Sequence, residues 1–478
     1  MEIHEPIDLL VSQKIMQPLT EELSATFISL SEAFRSGKLF IEAQAIVESP
    51  YIHQEGGRLY CARAWKLLAA FSAQQKRLMA AKSYRQVNEK KLICRLEELL
   101  AENKLLPEQA QAIQEAFTGG ISCIWGGPGT GKTYTAGWLV QLFLEQHPEA
   151  KVALTAPTGK ATANLAASIL RVTGSAFVAK TLHALLGLRP FGKKGRQAEL
   201  AYDLILIDES SMIDLNLCVK LLSSVSEGTT LVFLGDPDQL APVEAGEPFT
   251  ALLSQSTKGH LTVSKRQEAS TILDLAHLVK DAKAEEALFL LQNDLTGAIS
   301  FHTEEYPFTS YVKALYMTGA RDVSSLFRAL SANRLLCPLR EGKFGTRAVN
   351  DRLLKLLSKD SLQPIMITQN DYTLDLTNGQ VGIIDKTHAY FEDGSKIPIV
   401  LLPAYETSYC LSVHKSQGSE FDEVDVLLPE GSERFGRKML YTAITRAKKR
   451  LRLYGTAATL RACISTDSRP CTTFLPLS

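Results

Sequence analysis

Hydrophobic positions in this chain change their spacing along its length. Up to about residue 100 they recur at helical intervals, in "LTEELSATFISLSEAFRSG" and "RAWKLLAAFSAQQKRLMAAKSY", on either side of the turn-rich "SPYIHQEGGRLY". From about 101 the texture becomes short apolar runs alternating with helical stretches. "ISCIWGG", "KVALTAPTG", "DLILIDES" and "TLVFLGDPDQ" each end in Gly, Thr or Asp, the pattern of buried parallel strands whose carboxyl tips carry function. A second such segment starts near 258 with "HLTVSKRQ" and continues through "NRLLCPLREG", "YCLSVHKSQGSEFDEVDVLLP" and "LYTAITRAKKRLRLYG". Between Ile365 and about Ala404, Asn-Gly and Asp-Gly turns separate alternating strands, which predicts a small antiparallel β insertion. The expected fold is α/β: a mainly helical N-terminal domain (1–100), a doubly wound domain (101–257) and a second one (258–478) with the insertion at about 365–404.

Composition changes this picture little. With 45% hydrophobic and 22% charged residues among 478, the chain reads as globular, in two or three domains. Met1 to Leu10 carries three acidic residues and no Lys or Arg, and no apolar run approaches roughly 18 residues, so the expectation is a cytoplasmic protein with no membrane partner. The eight cysteines are scattered without a CxxC pair, against a zinc site or a disulfide framework. Lys plus Arg equals Asp plus Glu at 52 each. That balance removes the overall basic footprint of an autonomous nucleic-acid-binding domain but is compatible with a local basic groove.

The most specific chemistry lies in "GGPGTGKT". Gly126, Gly127, Pro128, Gly129, Thr130, Gly131, Lys132 and Thr133 follow an apolar strand and precede a helical run, the setting a P-loop requires. Its glycines allow backbone N–H groups to turn around phosphate oxygens at a helix N-terminus, Lys132 would reach the β and γ phosphates of ATP, and Thr133 would ligate Mg²⁺. Asp208 and Glu209 close the next-but-one strand, where an acid holds the metal and a neighbouring Glu orients or deprotonates water. Gln239 ends another strand and is placed to register the γ-phosphate. Arg266 in "SKRQ" and Arg446 in "TAITRAKKR" read either as arginine fingers across a cleft or as solvated surface arginines. Fingers on a second domain would let ATP close the cleft and hydrolysis reopen it, a ratchet.

Two further strand tips suit a polymer. "TAPTGKATANLAASI" offers hydroxyls, Gly159 and Lys160 before a small-residue helix, and "SVHKSQGSEF" turns into Lys415, Ser416, Gln417 and Gly418. Such groups contact phosphates without reading bases; each also reads as an ordinary capped or solvated loop.

Together these blocks resemble the superfamily 1 helicases, and most closely the RecD family of exonuclease V subunits. "GGPGTGKT", "TAPTGKATANL", "TLHALLG", "IDESSMID", "FLGDPDQLAPVEAG", "RLLCPLREGKFG", "TNGQVGII", "VHKSQGSEFDEV" and "YTAITRAKKRL" stand in family order over about residues 105 to 455. The resemblance implies two RecA-like motor domains and an ATP-dependent 5′ to 3′ DNA helicase that needs ATP and Mg²⁺. It implies RecB-like and RecC-like partners, with the N-terminal domain (1–100) docking on the RecC-like one, single-stranded and duplex-end DNA as substrate, and a role in double-strand break repair by recombination. It assigns adenine contact to Gln109, metal to Thr133 and Asp208, catalysis to Lys132, Glu209, Gln239, Arg266 and Arg446, and strand contact to Thr158, Lys160, His183, His414 and Ser416. Gln267 departs from the pattern, standing after Arg266 where an aromatic is expected. A stand-alone RecD-like helicase and a mainly structural or regulatory ATPase subunit are the alternatives.

Overall fold

The computed structural model describes residues 40–42, 52–55, 58–81, 86–118, 120–188, 199–264, 270–317, 322–357, 361–371 and 373–467. Strands β1 (Phe40–Glu42), β2 (Ile52–Glu55) and β3 (Arg58–Cys61) form an antiparallel sheet in the order β1-β3-β2. The stretch expected as a turn between helices is therefore a hairpin, for which its central Gly-Gly pair is a recognised signal. "LTEELSATFISLSEAFRSG" lies outside the described residues.

Helices Ala62–Ala80 and Glu89–Ala101 follow. Leu68, Phe71 and Leu78 of the first pack with Ile205, Leu221 and Phe233, while Leu92, Leu96 and Leu99 of the second pack with Ile113, Leu139 and Leu206. Arg77 donates from Nη2 to the carbonyls of Leu222 and Val225, both at 2.9 Å. The helices expected within a separate 1–100 domain thus share their core with the next one.

That next domain is a parallel six-stranded sheet of β4 (Ile121–Gly126), β5 (Val152–Ala156), β6 (Ala179–Thr181), β7 (Leu204–Ile207), β8 (Thr230–Gly235) and β9 (Thr257–Leu261), in the order β6-β5-β7-β8-β4-β9. Strand β9 falls beyond the expected boundary at 257, and "HLTV" begins not in the second domain but on the edge of the first, parallel to β4. Gly259 explains its seat. A Cβ there would lie 2.2 Å from the Cβ of Ala112, so only glycine lets helix Pro107–Ala116 lie against the strand.

The second parallel sheet contains β10 (Ile299–His302) and β11 (Asn333–Cys337), interrupted by an insertion made of β12 (Gln363–Ile367), β13 (Val381–Ile384), β14 (His388–Phe391), β15 (Lys396–Pro398) and β16 (Tyr405–Thr407), and completed by β17 (Cys410–Ser412), β18 (Phe421–Leu428) and β19 (Ala447–Gly455). Its order is β10-β19-β18-β11-β17, and the insertion is antiparallel, β15-β14-β13-β12-β16. The α/β class with two doubly wound domains is as read from the sequence. The amino ends of β18 and β19 face the first domain, where the Lys160 ammonium lies 5.6 Å above the Phe421 ring. Among the described residues no helix is long and apolar enough to cross a membrane.

Candidate active site

Leu204, Ile205, Leu206 and Ile207 are all fully buried, each contributing about 1.5–3 kcal/mol of apolar burial and holding β7 from both faces. The strand's carboxyl tip is therefore a fixed platform for Asp208 and Glu209. Glu209 sits in the left-handed region at φ 51°, a conformation that costs a non-glycine residue about 1–3 kcal/mol and concentrates at functional sites.

The phosphate loop leaves β4 next to it. Gly129 and Gly131 have φ of 75° and 82°, and a Cβ on Gly126 would come within 2.3 Å of the Leu261 carbonyl oxygen. The loop thus needs glycine for its turn and for its approach to β9. Lys132 begins the helix Lys132–Gln146 and donates from Nζ to the carbonyls of Gly126 and Gly127 at 2.8 and 2.9 Å. Its ammonium is held directly over the cradle. Thr133 Oγ1 donates to Asp208 Oδ2 at 3.2 Å. A hydroxyl and a carboxylate side by side are hard oxygen donors that suit Mg²⁺. Burial pushes the Asp208 carboxyl above its ordinary range, and a divalent cation would supply the opposing charge. Burial, then the neighbouring Asp208, raises Glu209 to about 7, against the pull of Arg446 and Lys132.

From the second domain comes Arg446, 3% exposed. Its guanidinium donates to the carbonyls of Thr442 (3.1 Å) and Ser419 (3.0 Å) and to Thr445 Oγ1 (3.4 Å). A cleft of about 480 Å³ brings Lys132, Thr133, Asp208, Glu209 and Gln239 of one domain together with Gly418, Glu420, Arg446 and Lys448 of the other. Charges aimed into a low-dielectric space act far more strongly than in water. The arrangement has what phosphoanhydride hydrolysis requires: a cationic cradle, a metal-competent acid, a carboxylate near neutrality and an arginine from across the cleft.

The remaining expected residues divide. Thr158 Oγ1 accepts from Ala161 N (3.3 Å), capping helix Gly159–Thr173, with Lys160 exposed beside it. His183 is exposed on the short helix Leu182–Leu185, and His414 is half-buried, edge-on to Phe435 at 6.4 Å. Gln109 differs from expectation. It is fully buried, Oε1 accepting from Leu106 N (3.0 Å) and Nε2 donating to Thr130 O (3.3 Å), so its amide braces the phosphate loop instead of facing a base. Ser416 differs too: fully buried, its hydroxyl donates to Val413 O at 2.7 Å and shapes a turn instead of reaching a strand. Arg266 lies outside the described residues.

Sequence reasoning missed the groups that join the domains. Tyr441 donates its hydroxyl to Asp236 Oδ2 (2.9 Å), Leu240 N donates to Thr442 Oγ1 (2.8 Å), Gln417 Nε2 to Leu240 O (3.1 Å), and Asn164 Nδ2 to Gly418 O (3.3 Å). All lie inside the quoted blocks, so the segments were visible but the pairings were not.

Residues 104–304 match the AAA domain family, and residues 407–454 match the UvrD-like helicase C-terminal domain. The chain is 34% identical over 408 residues to the RecBCD enzyme subunit RecD of Mycobacterium tuberculosis, covering 75% of this chain and 70% of that one. It is 35% identical over 402 residues to the protein of the same name from Mycolicibacterium smegmatis, covering 75% and 72%. With the ATP-dependent RecD2 DNA helicase of Deinococcus radiodurans it shares 31% identity over 386 residues, 75% of this chain but 50% of that one.

Proposed function

This chain belongs to the RecD family of ATP-dependent DNA helicases, and on that premise we propose that it is the 5′ to 3′ motor subunit of a RecBCD-type exonuclease V complex. In this reading it works in the cytoplasm with RecB-like and RecC-like partners on duplex ends, in double-strand break repair. The observation that carries the motor part is the cleft in which Lys132, Thr133, Asp208 and Glu209 of one doubly wound domain face Arg446 of the other. ATP binds between the domains, with Thr133 and Asp208 as the residues that would hold Mg²⁺ to neutralise phosphate charge. Glu209 takes the proton of the attacking water, Arg446 stabilises the charge that develops on the γ-phosphate, and Arg266 is a second finger. Thr158, Lys160, His183 and His414 line the path of the strand.

The test is ATP hydrolysis by the purified chain with and without single-stranded DNA, beside Lys132→Ala, followed by unwinding of a 5′-tailed duplex by the chain reconstituted with RecB-like and RecC-like subunits. The expected result is hydrolysis stimulated by DNA and reduced by at least about 100-fold in the variant, with loss of 5′-tailed unwinding. Unwinding unchanged by Lys132→Ala would make the chain a structural subunit. Full unwinding by the chain alone, with no assembly, would make it a stand-alone helicase.

A further inference from the structure

The Asp236 carboxylate sits between the two domains, with the Lys132 ammonium and the Asp238 carboxylate also acting on it. Its Oδ2 accepts the Tyr441 hydroxyl at 2.9 Å and the Gln239 amide nitrogen at 3.4 Å, and its Oδ1 accepts Asp238 N at 3.0 Å. All three side chains of this relay, Tyr441, Asp236 and Gln239, are at least 95% buried. The bonding fixes the amide's polarity, because a carboxylate only accepts and so must face the NH₂ end. The other end, Gln239 Oε1, is buried with no hydrogen-bond partner, in a residue that lines the cleft beside Lys132 and Glu209. A carbonyl oxygen cannot hydrogen-bond a phosphate oxygen, since both are acceptors, but it can hold an O–H of water. A buried polar atom left without a partner is unfavourable, and an O–H donor reaching it would remove that cost.

We propose that Tyr441 is a positioning residue for hydrolysis: through Asp236 it holds the Gln239 amide with its oxygen towards the cleft, so that Gln239 orients the attacking water and does so only while the second domain is docked. The idea rests on the ATPase reading above and assigns Gln239 to the water instead of to the γ-phosphate. The phenol is well placed for such a role, since a Cβ on Gly127 of the phosphate loop would lie 3.5 Å from its oxygen. Domain docking and water positioning then share one hydrogen bond. If the domains separate, Asp236 loses the Tyr441 hydroxyl and keeps only the Asp238 N–H and the long Gln239 contact, so the carboxylate, and the amide held by it, is no longer fixed in place.

The experiment measures kcat and KM for DNA-stimulated ATP hydrolysis, with ADP affinity, for the full chain and for Tyr441→Phe, Asp236→Asn and the double variant. Tyr441→Phe keeps the ring and removes one hydroxyl; Asp236→Asn keeps the shape and removes the acceptor-only partner. Each single variant is expected to lower kcat by roughly tenfold or more, with KM and ADP affinity within about twofold, and the double variant to lose no more than the worse single. Unchanged kcat, parallel changes in kcat, KM and ADP affinity, or additive losses would each overturn the proposal. Should the unaltered chain show no hydrolysis sensitive to Lys132→Ala, the ATPase reading itself falls and takes the proposal with it.

Discussion

At the scale of single residues, Glu209 gives the sharpest handle. Its carboxyl is raised to about 7 by burial first and by Asp208 second. A general base works only unprotonated, so kcat for ATP hydrolysis is expected to rise as pH climbs through about 7 and to level off above about 8. Folding stability runs the other way. A carboxyl raised above its unfolded value favours the native state below the unfolded pKa, and that contribution is lost as pH rises through about 7. Glu209→Gln is therefore expected to lower kcat by at least about 100-fold and to flatten both profiles, read by steady-state hydrolysis and by denaturant unfolding across the same pH range. The residues of this centre were legible because P-loop and acidic strand tips have local spacing rules. Asp236 and Tyr441 were not, being 205 positions apart. Gln109 was assigned to adenine and Ser416 to the strand for a similar reason: a motif names a residue type, but only packing decides which way its polar end is satisfied.

At the scale of elements, strands such as Leu204–Ile207 were plain from their unbroken apolar runs, since burial on both faces leaves no alternation to misread. The hairpin Ile52–Glu55 with Arg58–Cys61 and the edge strand Thr257–Leu261 were not. Each is short and partly polar, and β9 joins a strand more than 130 positions earlier, as Ser122 opposite Thr257 shows. Periodicity identifies a strand but not the sheet it enters. The seat of β9 makes its own prediction. Gly259→Val would drive a side chain into Ala112, whose Cα would lie 2.7 Å from the new Cβ, and Ala112 is itself buried. Overpacking of this kind costs about 1–3 kcal/mol. A lower Tm by differential scanning calorimetry is expected, with ATP affinity weakened as well, because Gly126 of the phosphate loop packs directly on Leu261 at the end of the same strand. A stable variant with unchanged affinity would mean that the helix Pro107–Ala116 shifts freely, contrary to its packing.

At the scale of the whole molecule, zero net charge hides a polarised interior face. The cleft wall gathers Lys132, Lys160, Arg171, Arg446 and Lys448 against Asp208, Glu209 and Glu420. Arg334 adds a further cation, buried with its guanidinium 5.7 Å from the Phe421 ring that Lys160 also overlies. Elsewhere acids and bases cancel locally: Lys449 pairs with Asp422 at 3.2 Å and Arg450 with Glu423 at 3.1 Å, whereas among the described residues no carboxylate pairs with the adjacent Lys448. The neutral composition that argued against nucleic acid is therefore an average over compensated surfaces and one strip where cations outnumber acids. If that strip carries strand phosphates, affinity for single-stranded DNA will fall with salt, as counterion release demands. Lys160→Ala and Lys448→Ala should each weaken binding to all sequences alike and reduce the slope of log affinity against log salt by about one, while Lys449→Ala should leave the slope unchanged. Fluorescence anisotropy of a labelled oligonucleotide, titrated at several salt concentrations, separates these outcomes. An identical slope for all three variants would place the strand on another face, because a lysine that neutralises no phosphate releases no counterion.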